Sequence, residues 1–401
     1  MKMKKITAVC LTVLSLGTLT ACKSAQYERF EHAVTDAFEN ISINTDTADI
    51  DILPATDGVC KVICNDKKRI RHTVKVEDGT LLVELEATRK WYDFFSLSLD
   101  EPSIAIYLPK TEYKTLNIEE DTGNITVQPF QFESIDIDVS TGDVNCFAST
   151  TEATKIKATT GNITLQNISA KSIELSASTG DITLNNVTSG PIQTQTSTGK
   201  ITFSTVMSED MQITVTTGTV ELSGIACKNL TTKGDTGKLL AIDVEATEAV
   251  SITRTTGNVI IDEIKSGNLS VTTSTGDLDV SQAACADVNL SASSGKTRLT
   301  DMICSNLTTN AKTGSLTMEN VVSSGNWTIT RTTGDITLNG CDAAEIVMEA
   351  DTGDVTGTLL SEKIFIARAS TGDIDVPETV NGGKCKITTT TGDIKIEIKA
   401  N

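Results

Sequence analysis

The sequence is poor in aromatic residues and in positive charge. Aromatic residues make up only 4% of the 401 positions, so the core must be built from aliphatic side chains, and a stacked aromatic platform for sugars is not expected. Lys and Arg number 34 against 53 Asp and Glu, which gives a net charge of −19. Because such a surface repels nucleic acid and anionic membrane faces, we expect no nucleic-acid partner.

A long apolar run is also missing. The uncharged run at residues 6–19 has about fourteen positions, whereas a membrane-spanning helix needs about 20. Three lysines precede it, which is typical of a secretory signal. Leu19–Cys22 resembles a bacterial lipobox, in which the cysteine receives a diacylglyceryl group; an ordinary signal with a chance cysteine is the alternative. We predict a signal peptide over 1–22 and an extracytoplasmic, cell-surface protein that a bacterial membrane holds through lipid on Cys22.

The chain repeats itself every 19 or 20 residues, and glycines that follow Thr or Ser mark the period. These glycines are Gly123, Gly142, Gly161, Gly180, Gly199, Gly218, Gly237, Gly257, Gly276, Gly295, Gly314, Gly334, Gly353, Gly372 and Gly392. The second residue after each is Ile, Val or Leu, except at Thr297, and polar residues alternate with apolar ones on both sides. The pattern predicts a tight turn in which glycine supplies a positive φ and a following Asp or Asn bonds local backbone.

This alternation is the period of a β-strand with one buried face, so each unit predicts a strand, a turn, a second strand and a short return. A 19-residue unit cannot bury its apolar face alone, and therefore it must stack on its neighbours. The predicted fold class is all-β, a single-chain parallel β-helix or β-solenoid of about fifteen coils, right-handed and roughly 65–70 Å long. A propeller would need units of about 40 residues.

The region before the first repeat glycine is richer in aromatic residues and predicts a separate cap. Residues 41–52 keep the apolar offsets of the repeat but carry Ala48 in place of glycine, which predicts a degenerate first coil. A hairpin is predicted next, with a first strand near either Val59–Ile63 or Arg71–Val76 and a second strand at Leu81–Leu85.

An open solenoid end exposes unpaired backbone, so both ends need protection. Ile394–Lys399 alternates apolar and charged residues, which predicts a last edge strand with its charges facing outward. The predicted domains are a signal peptide at 1–22, an N-terminal cap at 23–115 and solenoid repeats at 116–401.

Several features together are similar to one bacterial family. They are the Thr-Gly-Asp-Ile units, the Ile-x-Ile-x-Thr-x-x-Ala-Asp-Ile opening at 41–50, the Lys90-Trp91 pair and the Tyr107–Pro109 segment. From about residue 40 onward the chain resembles the bacterial "putative adhesin" family of β-strand-repeat proteins. The resemblance implies a solenoid displayed at the cell surface; that family has no assigned function and contributes no catalytic residues.

The cysteines predict little chemistry. Three of them occupy columns that hold Leu, Val or Ile in other units and are interpreted as small core residues: Cys146, Cys341 and Cys385. Cys60 and Cys64 lie four apart on one strand face, too far for a mutual bridge, and without partner ligands we expect no zinc there. Cys285 and Cys304 occupy one position in adjacent units, where either a disulfide or two small turn residues fit.

Catalysis by stacked carboxylates is an alternative, since some parallel β-helices cleave acidic polysaccharides with carboxylates, calcium and a basic residue. One turn position holds an acid in four consecutive units: Asp335, Asp354, Asp373 and Asp393. Asn or Lys often fills this position elsewhere, so its plain role is turn chemistry. Arg254 and Arg331 lie three before their glycines, and no nucleophile or base accompanies them. We predict a protein that is not an enzyme, with no catalytic, cofactor-binding or metal residues.

Two non-enzymatic functions stay open. A surface adhesin or structural rod would bind polysaccharide or protein through its exposed Thr, Ser, Asn and Asp side chains. A scaffold or envelope-stress component would instead dock a membrane partner through the aromatic segment Trp91–Phe95. The plainer interpretation of that segment is a plug over the solenoid end.

Overall fold

A computed structural model describes residues 27–67, 71–86 and 102–399. The fold is all-β, a β-solenoid of about 15 turns with parallel stacking, which confirms the predicted fold class. In this described part no helix is long and apolar enough to cross a membrane. The chain divides into two compact units, Met1–Gly161 and Asn162–Asn401.

The described strands of the first unit lie between residues 27 and 160. They are β1 (Tyr27–Val34), β2 (Asn40–Thr47), β3 (Asp49–Pro54), β4 (Cys60–Lys67), β5 (His72–Glu77), β6 (Thr80–Leu85), β7 (Ser103–Leu108), β8 (Glu112–Thr122), β9 (Ile125–Val127), β10 (Gln131–Thr141), β11 (Val144–Cys146), β12 (Ser149–Thr150) and β13 (Ala153–Thr160). The predicted boundary between cap and repeats, at 115/116, falls inside β8.

The described strands of the second unit lie between residues 163 and 398. They are β14 (Ile163–Ala170), β15 (Ser172–Thr179), β16 (Ile182–Ser189), β17 (Ile192–Thr198), β18 (Ile201–Met207), β19 (Asp210–Thr217), β20 (Val220–Thr236), β21 (Leu239–Thr256), β22 (Val259–Thr275), β23 (Leu278–Ser294), β24 (Thr297–Thr313), β25 (Leu316–Ser323), β26 (Asn326–Thr333), β27 (Ile336–Cys341), β28 (Glu345–Thr352), β29 (Val355–Leu359), β30 (Lys363–Thr371), β31 (Ile374–Asp375), β32 (Gly383–Thr391) and β33 (Ile394–Ile398).

Successive coils of the second unit pair residue for residue, in the register that the repeat predicts. Ile163 pairs with Ile182, and Ile182 pairs with Ile201. These side chains are fully buried, while the residue that follows each of them in its strand is partly exposed. Every repeat thus adds one aliphatic layer to a continuous interior, and this burial is the main stabilising contribution.

The turn glycines are required by close backbone contact between coils. Gly257 has a φ of +133°, and a Cβ built on it would lie 2.1 Å from the carbonyl oxygen of Gly237. Gly199 repeats the arrangement against Gly180 at 2.0 Å. No side chain fits such a gap, so each glycine makes room for the carbonyl of its neighbour.

A second left-handed corner lies six residues after the turn glycine, and the sequence pattern did not predict it. Its φ values run from 52° to 63° in consecutive coils. The residues at this corner are Asn167, Asn186, Thr205, Gly224, Asp243, Glu263, Gln282, Asp301, Asn320 and Gly340. Because Asn, Asp and Gly tolerate this conformation best, several coils suit it, but the mixed composition hides the corner in the sequence.

The order of strands in space departs from chain order in the first unit. β2 lies between β6 and β8, and β3 lies between β7 and β9. In this first coil Ala48 stands beside Gly123, where a Cβ on the glycine would lie 2.0 Å from the carbonyl oxygen of Ala48. The hairpin joins β5 to β6 across Asp78 and Gly79, so Arg71–Val76 marks its first strand; β4 instead pairs antiparallel with β1 and β7.

The second unit shows a similar exchange near its end. β32 lies between β28 and β30, and β33 lies between β29 and β31. The coil of β32 and β33, here the inserted coil, separates the coil of β28 and β29 from the coil of β30 and β31, here the outer coil. The predicted last edge, Ile394–Lys399, is therefore partly covered, because Ile394 and Lys395 pair with Ile374 and Asp375. The connection at 376–382 is long enough to permit this return.

Candidate functional site

The predicted site residues differ in whether the structure describes them. All the turn glycines lie in described residues and occupy the corner between two strands. Cys22, the predicted lipid attachment point, lies outside the described residues, as does the aromatic segment Trp91–Phe95.

An exposed row of hydroxyl side chains precedes the turn glycines. In the second unit, Thr217 pairs with Thr236, Thr236 with Thr256, and Thr256 with Thr275, and each is exposed. Ser294 continues the row in the next coil. Stacked strands are about 4.8 Å apart, so the row presents one hydroxyl at each such step.

The turn acids bond to the backbone of the neighbouring coil. Asp335 accepts a hydrogen bond from the Asp354 amide at 3.0 Å, and Asp354 accepts one from the Asp393 amide at 2.8 Å. Asp393 in turn accepts one from Asp373, so the order in space is not the order in sequence. Asn124 accepts from the Asp143 amide in the same way, which shows that an amide oxygen serves equally well. The turn role predicted for this column is thus a bond between coils rather than a local one.

Cys285 and Cys304 are adjacent across two paired strands, as predicted, but both are free thiols. The Ser266 hydroxyl donates to Cys285 at 3.2 Å, and Cys304 lies 2.9 Å from the hydroxyl of Ser323. Each thiol therefore bonds to a serine on its other side. Burial raises the pKa of both thiols, so neither is activated as a thiolate.

Two arginines point into the solenoid interior. Arg254 and Arg331 are each 1% exposed. Arg331 donates to the hydroxyl of Thr309 at 3.0 Å, whereas no guanidinium nitrogen of Arg254 has a hydrogen-bond partner. Gly234 of the preceding coil leaves the space that the Arg254 guanidinium occupies. Burial lowers the pKa of both arginines, that of Arg331 to about 10.

A buried polar cluster in the first unit was not predicted. Within residues 27–67, 71–86 and 102–399, only Cys64, Asp66 and His72 bring three metal-ligand atoms within 4.8 Å of one another. Nδ1 of His72 lies 2.7 Å from Oδ1 of Asp66, and Nε2 lies 2.7 Å from the hydroxyl of Thr45. The backbone amide of His72 donates to Oδ2 of Asp66 at 2.8 Å.

The cluster brings together residues from the end of β4 and the start of β5. Cys64 and Asp66 are inward residues of β4, and His72 opens β5. Cys64 was considered only with Cys60 on the same strand, where no bridge and no zinc were expected, so the proximity of His72 was missed. The signal that could have found it is Cys-x-Asp at the end of one strand and His at the start of the next.

Glu120 lies on β8 and is paired with Thr45 of β2, the residue that contacts His72 of the cluster. Glu120 is 3% exposed, and its Oε1 accepts hydrogen bonds from the backbone amides of Ala48 and Thr122, both at 3.1 Å. Burial outweighs these bonds and raises the pKa of Glu120 to about 8. Thr45, its counterpart in the neighbouring strand β2, is also buried.

One family model matches the chain repeatedly over nearly its whole length. The Toastrack DUF4097 family model matches three overlapping stretches, residues 38–204, 190–302 and 281–401. The chain belongs to the Toastrack DUF4097 family. These matches include all the repeat glycines. Among curated proteins, none matches this sequence.

Three solved structures are similar to this Toastrack chain. A "putative adhesin" from Bacteroides fragilis is 11% identical, with 93% of this chain and 98% of that one covered and a TM-score of 0.27. A "putative adhesin" from Parabacteroides distasonis is 14% identical, covering 65% and 96% with a TM-score of 0.34. A "putative lipid binding protein" from the same species is 10% identical, covering 92% and 97% with a TM-score of 0.19. The fold assignment rests on the strand register and not on these similarities.

Proposed function

We propose that this chain is a non-catalytic surface protein of a bacterial envelope, an adhesin or structural protein that lipid on Cys22 holds to a membrane. The coils would then serve as the exposed part, and the ligand would be a surface polysaccharide or a protein. Removal of residues 1–22, which hold three lysines and no acids, would change the net charge from −19 to −22. Such a charge favours an uncharged ligand over an acidic one.

The observation that carries this proposal is the exposed hydroxyl row. Hydroxyls repeated at a fixed step suit a ligand that also repeats, because many weak hydrogen bonds add up when they form together. The row is built on strands rather than on mobile loops, so its spacing is fixed before the ligand arrives. We therefore name an uncharged polysaccharide as the preferred ligand.

The turn acids support a non-catalytic role. A general acid or nucleophile needs a carboxylate free to reach substrate, whereas Asp335 and Asp354 each hold the backbone amide of a neighbouring coil. The same bond forms where asparagine occupies this turn position, as at Asn124. These carboxylates stabilise the stack.

The test removes hydroxyls without disturbing the strands. Thr217, Thr236 and Thr256 are replaced together by Val, which keeps the β-branched shape; the matched control replaces them by Ser, which keeps the hydroxyl. Sedimentation of the purified chain with insoluble neutral envelope polysaccharide is then measured. We expect the Val variant to lose at least tenfold in binding and the Ser variant to keep it. Equal binding by all three chains, or by none, contradicts the proposal.

An experiment with the same purified chains distinguishes the alternative scaffold function from adhesion. Capture of one membrane protein that needs Trp91–Phe95 and ignores the hydroxyl row would favour docking over adhesion.

A further inference from the structure

We propose that Cys64, Asp66 and His72 bind one divalent transition-metal ion, and that zinc is its best-matched occupant. The set combines one sulfur, one oxygen and one imidazole nitrogen, which are the donors that zinc takes in proteins. Calcium and magnesium prefer oxygen donors alone, so the thiol selects against them. This site goes beyond the proposed surface function and does not depend on it.

The positions of the donor atoms suit a tetrahedral ion. With metal bonds of about 2.0–2.3 Å, two donors on one zinc ion lie roughly 3.3–3.7 Å apart. The three donors here lie within 4.8 Å of one another, and Nδ1 of His72 lies 2.7 Å from Oδ1 of Asp66. Binding therefore requires donor separations to change by no more than about 1.5 Å, within the range of side-chain rotation.

Neighbouring groups already orient two of the ligands. The Thr45 hydroxyl lies 2.7 Å from Nε2 of His72. When the imidazole carries its proton on Nε2, the ring donates that proton to Thr45. The lone pair of Nδ1 then faces Cys64 and Asp66. The His72 amide holds Oδ2 of Asp66 at 2.8 Å, which leaves Oδ1 facing the ring. Such outer contacts fix the tautomer and direction of metal ligands, and their loss typically weakens metal binding about 10- to 100-fold.

Burial and a fourth donor complete the site. Cys64 is 0% exposed, Asp66 1% and His72 6%, so an ion there would be shielded from water. His32 of β1 lies opposite Val62, on the same face of the β1–β4 pair as Cys64, and both of its ring nitrogens are buried without a hydrogen-bond partner. The His32 ring lies outside the 4.8 Å group, so it would have to move to take the fourth coordination position, which otherwise falls to one enclosed water molecule.

A metal-free arrangement of the same atoms makes the opposite prediction. If Nδ1–H of His72 donates to Asp66 and the Thr45 hydroxyl donates to Nε2, the network is satisfied without an ion. Cys64 is then only a small core residue, and added metal has no preferred place to bind.

Cobalt(II) distinguishes the two arrangements, because a cobalt–thiolate bond absorbs in the near ultraviolet and tetrahedral cobalt absorbs in the visible. The full chain, purified in detergent with reductant and stripped of metal by a chelator, is titrated with cobalt and then with zinc. We expect both bands to saturate near one equivalent and to vanish when zinc displaces cobalt. Cys64→Ser should abolish the near-ultraviolet band, and Thr45→Val should weaken binding about 10- to 100-fold.

Cys60→Ser is the matched control, since Cys60 is another buried inward thiol of β4 but lies outside the cluster. It should keep the wild-type spectrum. An independent measurement needs no variant: zinc should raise the Tm of the wild-type chain, because an ion bound only by the folded state stabilises that state. A wild-type chain without the cobalt bands, a Cys64→Ser spectrum equal to wild type, or a Tm that zinc does not move would each overturn the proposal.

Discussion

At the scale of single residues, the turn glycines carry two separate demands. One is a φ that side chains resist, and the other is the carbonyl of the preceding coil pressed against the Cα atom. Gly58 meets only the first demand, with a φ of +73° and no atom within 4 Å of its added Cβ. The two demands can therefore be separated by substitution.

We expect Gly257→Ala to lower the free energy of unfolding by about 3 kcal/mol or more, since the strained conformation alone costs about 1–3 kcal/mol. Gly58→Ala, the matched control, should cost only about 1–2 kcal/mol. Hydrogen exchange should show faster amides between residues 237 and 276 in the Gly257 variant, because coils contact only their neighbours. Equal losses in the two variants, or uniform loss of protection, would show that the assigned register is wrong.

Arg254 is a buried cation without a hydrogen-bonding partner, a costly arrangement in a low-dielectric interior. Arg254→Met keeps much of the side-chain length and removes the charge, so we expect the chain to become more stable by roughly 1–4 kcal/mol. Arg331→Met should gain less, because Arg331 donates to Thr309. Denaturant unfolding measures both changes, and a loss of stability in Arg254→Met contradicts the expectation.

Glu120 makes stability depend on pH in a defined direction. Its pKa rises from an ordinary 4.5 to about 8, so the folded chain holds a proton that the unfolded chain releases. The stability that this proton contributes is complete below pH 4.5 and is lost as pH rises toward 8. Glu120→Gln lacks the titration, so its stability relative to wild type should increase by roughly 1–3 kcal/mol across that window. A difference that stays constant with pH would contradict the assignment.

The residue scale also shows where prediction from sequence stops. The turn glycines could be identified because one residue type fills the column in every unit. The corner at Thr205 and its counterparts could not, because amides, acids, glycine and threonine share that position. Cys64 and His72 lie before the first repeat glycine, where the 19- or 20-residue period does not hold, so repeat spacing does not predict that they approach each other.

At the scale of elements, the repeat period predicted that each coil exists, but it did not predict the order in which the coils stack. A spacing of 20 residues separates Gly372 from Gly392 whether the second coil stacks outside the first or slips beneath it. Pairing decides the order in the structure, and among the described strands it gives the outer coil a neighbour on one side only. Ile366 and Ile374 of the outer coil remain 42% and 46% exposed.

We therefore expect the outer coil to open first in the second unit. Amides of 363–375 should exchange before those of the inserted coil at 383–398, although the inserted coil comes later in the chain. Mass-resolved hydrogen exchange under native conditions measures this order. Protection that falls steadily toward higher residue numbers would contradict the exchanged pairing.

At the scale of the whole molecule, the acidic surface cannot itself hold the protein to an anionic membrane, so the proposed location depends on one residue. We expect Cys22→Ala to block normal processing or to move the chain from the membrane to the soluble fraction, as cell fractionation with immunoblotting would show. Cys10→Ala, which alters another cysteine of the predicted signal, should leave attachment unchanged. Membrane attachment that survives Cys22→Ala would defeat the lipoprotein hypothesis.

The exchanged order of the last coils determines the order in which they can assemble. Most coils can dock as soon as they emerge, because the surface that receives each one already exists. Residues 363–375 emerge earlier than 383–398 but must wait for them, since their pairing partner is the later segment. Until residues 383–398 have emerged, residues 363–375 lack the strands with which they pair. A chain that stalls before residue 383 during synthesis or export therefore cannot complete the stack.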